Sequence, residues 1–268
     1  MSENTPTAVE EDELVQSIIH DGNDSIIVNP PKSFVKPLIM AMSDHNTEGH
    51  VRILGSEDTL KAIRNDFILA SKIVELIDNG TVELSVTSEP QSSGLIISDN
   101  RMSGIIDLES TVSLTETQDV NMEVNDAVES AWDSAEPFTL RKPALNTLYR
   151  TLEEDISEEV SDEYQQIIEQ FTANNTTDFD EVLAALVVAA KNNILLYDIS
   201  KWGEDCGLAS KATFSRTKTK MEDRGQIRTE KVPIDVGRPR LRLALTEEFE
   251  NKPVTEVVAE VTRNKIEA

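Results

Sequence analysis

The sequence predicts a mixed α/β (α+β) N-terminal domain, then a run of helices, and a C-terminal winged helix-turn-helix. Three observations support this. Short β-branched apolar runs alternate with segments of helical periodicity as far as about residue 117. Helical patterns then follow one another up to about residue 193, and beyond that the order becomes short apolar stretch, helix, tight turn, helix, hairpin. Alternating strands and helices bury their apolar faces by stacking helices on a sheet. Two helices across a tight turn, followed by a hairpin, give the winged order.

The elements can be justified in chain order. Met1 to about Asp12 is polar and too poor in apolar residues to pack. "VQSIIH" begins a short helix, and "SIIVNPP" reads as a buried strand closed by prolines. "SFVKPLIMAM" reads as a helix capped by Ser33, with Pro37 inside the pattern, and "HVRILGS" as a second strand. "SEDTLKAIRNDFILASKIVELIDNG" predicts one long amphipathic helix. Ser56 is its N-cap, Glu57 and Asp58 suit its positive end, and Gly80 stops it. Leu60, Ile63, Phe67, Ala70, Ile73, Val74 and Ile77 recur on one face. "TVELSVT" is a third strand, "GLIISDNRMSGIIDL" a hairpin around Asp99-Asn100-Arg101, and "STVSLTE" one more strand.

"ETQDVNMEVNDAVESAWDSAEPF" reads as loop then helix. Pro143 opens "PALNTLYRTLEEDI" at a first-turn position that tolerates proline. "SEEVSDEYQQIIEQFTA" is a further helix, "TANNTTDFD" a turn-rich boundary, and "DEVLAALVVAAKNN" a mostly buried helix. The domain plan is then a flexible acidic N-terminus over 1–20, an α/β sensor-like domain over 21–140, and a helical linker or dimerisation segment over 141–175. A winged helix-turn-helix over 176–250 and a tail over 251–268 complete it.

Within the winged part, "ILLYDI" is a short apolar stretch and "SKWGEDCG" a short helix capped by Ser200 and stopped by Gly207. "KATFSRTKTKMEDR" is a second helix, capped by Ser210 and ended by Gly225. "QIRTEKVPI" and "RLRLALT" are hairpin strands around "DVGRP", with Leu241, Leu243 and Leu245 inward and Arg240, Arg242 and Ala244 outward. Trp202 and Cys206, four apart, face the core, and Gly203 sits where the two helices cross. Phe214 and Met221 share the buried face of the second helix. Lys218 stands where an apolar residue is wanted, so either Thr217 takes the inner place or the Lys218 stem crosses the core edge. Ser210, Lys211, Thr213, Ser215, Arg216, Thr219 and Lys220 are left facing outward.

Charge then bears on function. The chain has 268 residues and a formal net charge of -25. Ser200 to Arg242 holds 11 basic and 6 acidic residues, leaving 14 basic and 44 acidic for everything else. The segment is thus net positive while the remainder is net negative by 30. The dispersed acidity resembles the proteome style of salt-in halophiles and keeps a surface hydrated. Lys and Arg bind duplex DNA by displacing counterions from its phosphates. Small Ser and Thr permit close approach, and Arg can contact guanine edges at two points. The expected interface comprises Ser210, Lys211, Thr213, Ser215, Arg216, Thr219 and Lys220 on the helix with Arg238, Arg240 and Arg242 on the wing. Arg beside Pro at the tip suits a minor groove.

Other chemistry is poorly represented. The lone Cys206 excludes an internal disulfide and a multi-cysteine zinc site. His45 and His50 share "SDHNTEGH" with Asp44 and Glu48, a pattern that suits a solvated loop better than a metal site. Asp99 and Arg101 are explained by turn chemistry as readily as by a ligand. No phosphate loop, nucleophile elbow or catalytic constellation is present. The expectation is no enzyme, no metal and no cofactor, in a cytoplasmic chain without signal peptide or membrane span.

"HVRILGSEDTLKAIRNDF", "GLIISDNRMSGIIDL" and the winged segment together resemble the haloarchaeal TbsP-type transcription regulators. The front part is also similar to the phospholipase-D-like sensor domain of TrmB-type archaeal sugar regulators, without the His-x-Lys pair of the active phospholipases. The resemblance implies promoter binding and control of metabolic genes. Partners expected are double-stranded promoter DNA, a second copy of the chain through Pro143 to Thr172 and the tail "VTEVVAEVTRNKIEA", and a possible small-molecule effector. Two other readings stand beside this one. The winged helix could serve as a protein-interaction adapter, or the α/β part as a ligand sensor or degenerate enzyme.

Overall fold

A computed structural model describes residues 24–44, 49–87, 94–98, 101–108, 111–117, 120–174, 179–235 and 237–266. The expected N-terminal helix at "VQSIIH" and the Asp99-Asn100 turn lie outside these residues, as does His45. The chain divides into two compact units; the first runs to Arg141 apart from Asp66–Ile68, which group with the second, and the second takes up the chain from Lys142.

The first unit is a mixed sheet in the order β6-β5-β4-β1-β2-β3-β7. Its strands are β1 (Ser25–Val28), β2 (Val51–Ser56), β3 (Val82–Thr87), β4 (Gly94–Ser98), β5 (Arg101–Leu108), β6 (Thr111–Thr117) and β7 (Glu136–Pro137). β1, β2 and β3 run parallel, with Ile27 opposite Ile53 and Ile53 opposite Leu84. The β4–β5 hairpin and β6 continue the sheet antiparallel from β1. Parallel neighbours need crossovers, and the helices supply them. They are α1 (Lys32–Asp44), between β1 and β2, and α2 (Glu57–Asn65) with α3 (Phe67–Asp78), between β2 and β3.

β1 is buried at every residue because both sheet faces are covered. Ile27, Ile53, Leu38, Ile63 and Ile73 form the core on one face. Ile26, Val28, Leu54 and Ile97 turn to the other, beneath α4 (Met122–Ser134). Arg52 fixes α4 there. Its guanidinium donates to both Glu129 oxygens, at 2.7 and 2.8 Å, and lies 5.4 Å from the Trp132 ring centre.

Three local expectations need correction. α1 begins at Lys32, so Ser33 lies in its first turn, and the Pro31 carbonyl accepts from the amides of Phe34 and Val35 instead. The predicted long helix is two, α2 and α3, parted at Asp66. Ser56 does cap the first, its hydroxyl accepting from the Thr59 amide at 3.2 Å, and Gly80 ends the second at φ +75°. β7 was not anticipated; two residues containing a proline give no alternation to read.

The second unit is helical with one hairpin. α5 (Leu145–Asp155) and α6 (Glu158–Ala173) pack with α7 (Glu181–Lys191), whose residues from Val182 to Ala190 are all buried. Pro143 lies before α5, not in it, since Ala144 is the N-cap. Then come α8 (Leu196–Asp205), α9 (Lys211–Asp223), β8 (Ile227–Val232), β9 (Arg240–Leu245) and α10 (Val254–Ile266). Trp202 of α8 is the largest fully buried side chain and donates its indole N–H to the Thr151 hydroxyl at 2.9 Å. That bond satisfies the polar edge of a ring whose remainder is in the core. The tail segment α10 buries Val254, Val257, Val258 and Val261 within the same unit. Its apolar face, like those of α5 and α6, is therefore already covered by the chain itself.

Candidate nucleic-acid interface

α8 and α9 form the two-helix turn, and β8 and β9 the wing. The turn depends on three small or capping residues. Gly207, at φ +79°, ends α8 in a conformation that costs a side-chain-bearing residue energy. The Ser210 hydroxyl accepts from the Thr213 amide at 3.2 Å and starts α9. Gly203 gives the helices their close crossing, because a Cβ there would stand 2.3 Å from the Phe214 ring. Ser200, expected as the cap of α8, instead lies buried in the helix and donates to the Tyr197 carbonyl. α8 begins earlier, at Leu196, because Leu195 forms a β-bridge with Arg242 and the helix springs directly from it.

The rotation of α9 is set by what it buries. Phe214 is fully buried and Met221 nearly so. Lys218, on the same face, is 12% exposed and its ammonium pairs with Glu222 at 2.6 Å. Glu222 also accepts from the Thr229 hydroxyl at 2.6 Å, which ties α9 to β8. Partial burial disfavours the Glu222 carboxylate, but Lys218 and Thr229 outweigh this and hold its pKa below the ordinary value. The Lys218 stem thus crosses the core edge, and Thr217 is only half-buried. Cys206 is half-buried, and burial pushes its thiol up to about 11.

With that rotation, Ser210, Lys211, Ser215, Arg216, Thr219 and Lys220 are exposed, and Thr213 is half-buried at the margin. Arg216 and Lys220 are four apart on one face. The Arg216 guanidinium bends back along its own helix, donating to the Thr213 hydroxyl at 3.3 Å and the Ala212 carbonyl at 3.4 Å. On the wing, Arg238 and Arg242 are exposed and Arg240 is half-buried. Ala244, expected outward, is buried, as are Leu243 and Leu245; both faces of β9 are covered at this end.

These cations are not equivalent. Among the described residues, no carboxylate pairs with Arg216, Lys220, Arg238 or Arg242. Glu230 stands opposite Arg242 in the ladder but pairs with Arg228. Lys211 is held by Glu204 at 2.6 Å, a bond that lowers the Glu204 pKa and raises that of Lys211. Arg240 lies beside Asp198 at 3.5 Å and over Tyr197. The sequence did not single out Tyr197, Asp198 or Glu204. Their partners come from β9 and α9, so helical spacing alone could not reveal the pairing.

Elsewhere the structure brings little together. His50 lies 3.4 Å from Glu83, and no cluster among the described residues could hold a metal ion. No helix among them is long and apolar enough to cross a membrane. The first unit has a cleft of about 750 Å³ between α4, β7 and the end of β3.

Two family models match the chain. "Transcriptional regulator TbsP-like, N-terminal" covers residues 3–143, and "Transcriptional regulator TbsP-like, C-terminal HTH domain" covers 144–262. No curated protein matches it. Among solved structures it is similar to TrmBL2, an archaeal chromatin protein whose structure shows a novel mode of DNA binding. The identity is 14%, the TM-score 0.36, and the match covers 50% of this chain and 53% of that one. The matched region thus spans about half of that chain.

Proposed function

We propose, for a chain that belongs to the TbsP-like transcriptional regulators, that the second unit binds promoter DNA with α9 in the major groove and the wing beside it. One observation carries the reading. In a chain of net charge -25, Arg216, Lys220, Arg238 and Arg242 are exposed on the recognition helix and the wing without carboxylate partners among the described residues. Ser215 and Thr219 keep the adjoining surface small enough for a phosphate backbone to approach. Ser210, Thr213 and Lys211 line the start of the same helix, where base edges are met first in helix-turn-helix docking.

The protein acts as a homodimer on a palindromic site, in the cytoplasm of a salt-rich archaeal cell, and controls metabolic genes. The acidic remainder of the chain supports the salt-rich cell, and the resemblance of the front part of the sequence to TrmB-type sugar regulators supports the metabolic role. The dimer contact must come from surface other than the apolar faces of α5, α6 and α10, which are covered within the unit. The first unit has no assigned catalytic group and serves as a sensor or scaffold.

The test is a fluorescence-anisotropy titration of promoter DNA with the wild type and with Arg216→Ala, Lys220→Ala. The double variant should bind at least about tenfold more weakly, since one lost two-point contact to a base is worth about 1–3 kcal/mol. Unchanged affinity with an unchanged melting temperature would remove these residues from the interface.

A further inference from the structure

Arg240 differs from the other wing arginines in being held. It opens β9 opposite Val232, and its guanidinium carbon lies 4.0 Å from the centre of the Tyr197 ring. That is well inside the range at which a guanidinium is attracted to an aromatic face. One of its nitrogens is also 3.5 Å from an Asp198 oxygen, within ion-pair distance and at the edge of hydrogen-bond distance. Tyr197 itself is a large ring left 45% exposed. It stands in the first turn of α8, which the Leu195–Arg242 bridge places against β9.

We infer that Tyr197 and Arg240 form a composite phosphate-gripping site beside the loop end of the β8–β9 hairpin, separate from the groove-entering face of α9. This rests on the DNA-binding reading above. A guanidinium has five donors in a rigid plane. The ring covers one face of that plane and Asp198 meets one edge. The side chain keeps an exposure of 37%, which leaves it accessible to a ligand. Such a group is already ordered before a ligand arrives, so little rotational freedom is lost on binding. It also cannot extend into a groove without leaving the ring. Arg240 is therefore suited to a backbone phosphate, whose position is the same for every sequence, and Arg238 at the tip is left to explore the groove. The Tyr197 hydroxyl, at the far end of an exposed ring, supplies a second donor to the same phosphate run. Asp198 keeps the guanidinium in place when DNA is absent.

The experiment uses the full-length chain and four variants: Tyr197→Ala, Tyr197→Phe, Arg240→Ala and, as a control for the underlying reading, Arg216→Ala, Lys220→Ala. Affinity for promoter DNA and for a scrambled duplex is measured over a range of KCl. Tyr197→Ala and Arg240→Ala should each weaken both duplexes by a similar factor, about threefold to tenfold. Arg240→Ala should flatten the dependence of log affinity on log salt by about one. Tyr197→Phe, which keeps the platform and loses the hydroxyl, should fall between Tyr197→Ala and wild type.

Loss of promoter binding alone, with the scrambled duplex unaffected, would overturn the phosphate assignment. So would no loss in Tyr197→Ala at unchanged melting temperature. If the wild type binds neither duplex, the DNA-binding reading itself has failed; if the Arg216, Lys220 control binds as well as wild type, the placement of α9 in the groove has failed. If the control fails to bind while Tyr197→Ala and Arg240→Ala bind normally, only the present inference has.

Discussion

Gly203 has no side chain because Phe214 occupies the space that one would need. A methyl group there would lie 2.3 and 2.4 Å from two ring carbons, and the ring is fully buried. Gly203→Ala should therefore destabilise the second unit by about 1–3 kcal/mol, the usual range for forcing a group into a packed core. Urea unfolding of the full chain would measure it, and DNA affinity should fall as well, since the crossing sets where α9 projects. Gly203 was legible in the sequence because a glycine inside a helix demands a reason. Ser200 was misread for the opposite reason. A serine before an amphipathic run looks like a cap, but here Leu195 bridges to β9 and starts the helix five residues earlier. That bridge is a long-range contact, and no local pattern encodes it.

At the scale of elements, α8 carries carboxylates that occupy the cations around it. Asp198 meets Arg240, Glu204 holds Lys211, and Asp205 pairs with Lys201. DNA phosphates must compete with Glu204 for Lys211. Glu204→Gln should therefore tighten binding to any duplex by a few-fold and make it more salt-sensitive, readable in the same anisotropy titration. No change would mean that Lys211 stays with α8 in the complex. The order of strands, helices and hairpin was readable from alternation, periodicity and caps. The lateral order of the sheet was not, because β1 pairs with β2 on one side and with β4 on the other, across intervening elements. The break between α2 and α3 was likewise invisible, since the apolar spacing runs through Asp66 without interruption. On α9 the identity of the outward face was legible; the pairing of each cation was not, because the partners lie on other elements.

At the scale of the whole molecule, charge is segregated. The residues from Ser200 to Arg242 carry 11 basic and 6 acidic groups, against 14 and 44 elsewhere. An acidic body repels a polyanion, so the cationic element must make the contact and the body must stay clear of it. In the salt-rich cell proposed above, screening would confine both effects to a few ångströms, about 3 Å at 1 M. Contact geometry would then outweigh long-range attraction, so that exposed cations without a carboxylate partner among the described residues would matter more than net charge. The segregation was the most legible feature of all, since it requires only counting along the chain.

The most direct test of this account is the slope of log affinity for promoter DNA against log KCl, measured for the intact wild-type chain. Arg216, Lys220, Arg238 and Arg242, which have no carboxylate partner among the described residues, together with Arg240 predict a slope of about -4 to -5 per protomer bound, at about -0.9 for each phosphate neutralised. A slope near zero would contradict it, because a duplex held without release of counterions is not held by these side chains.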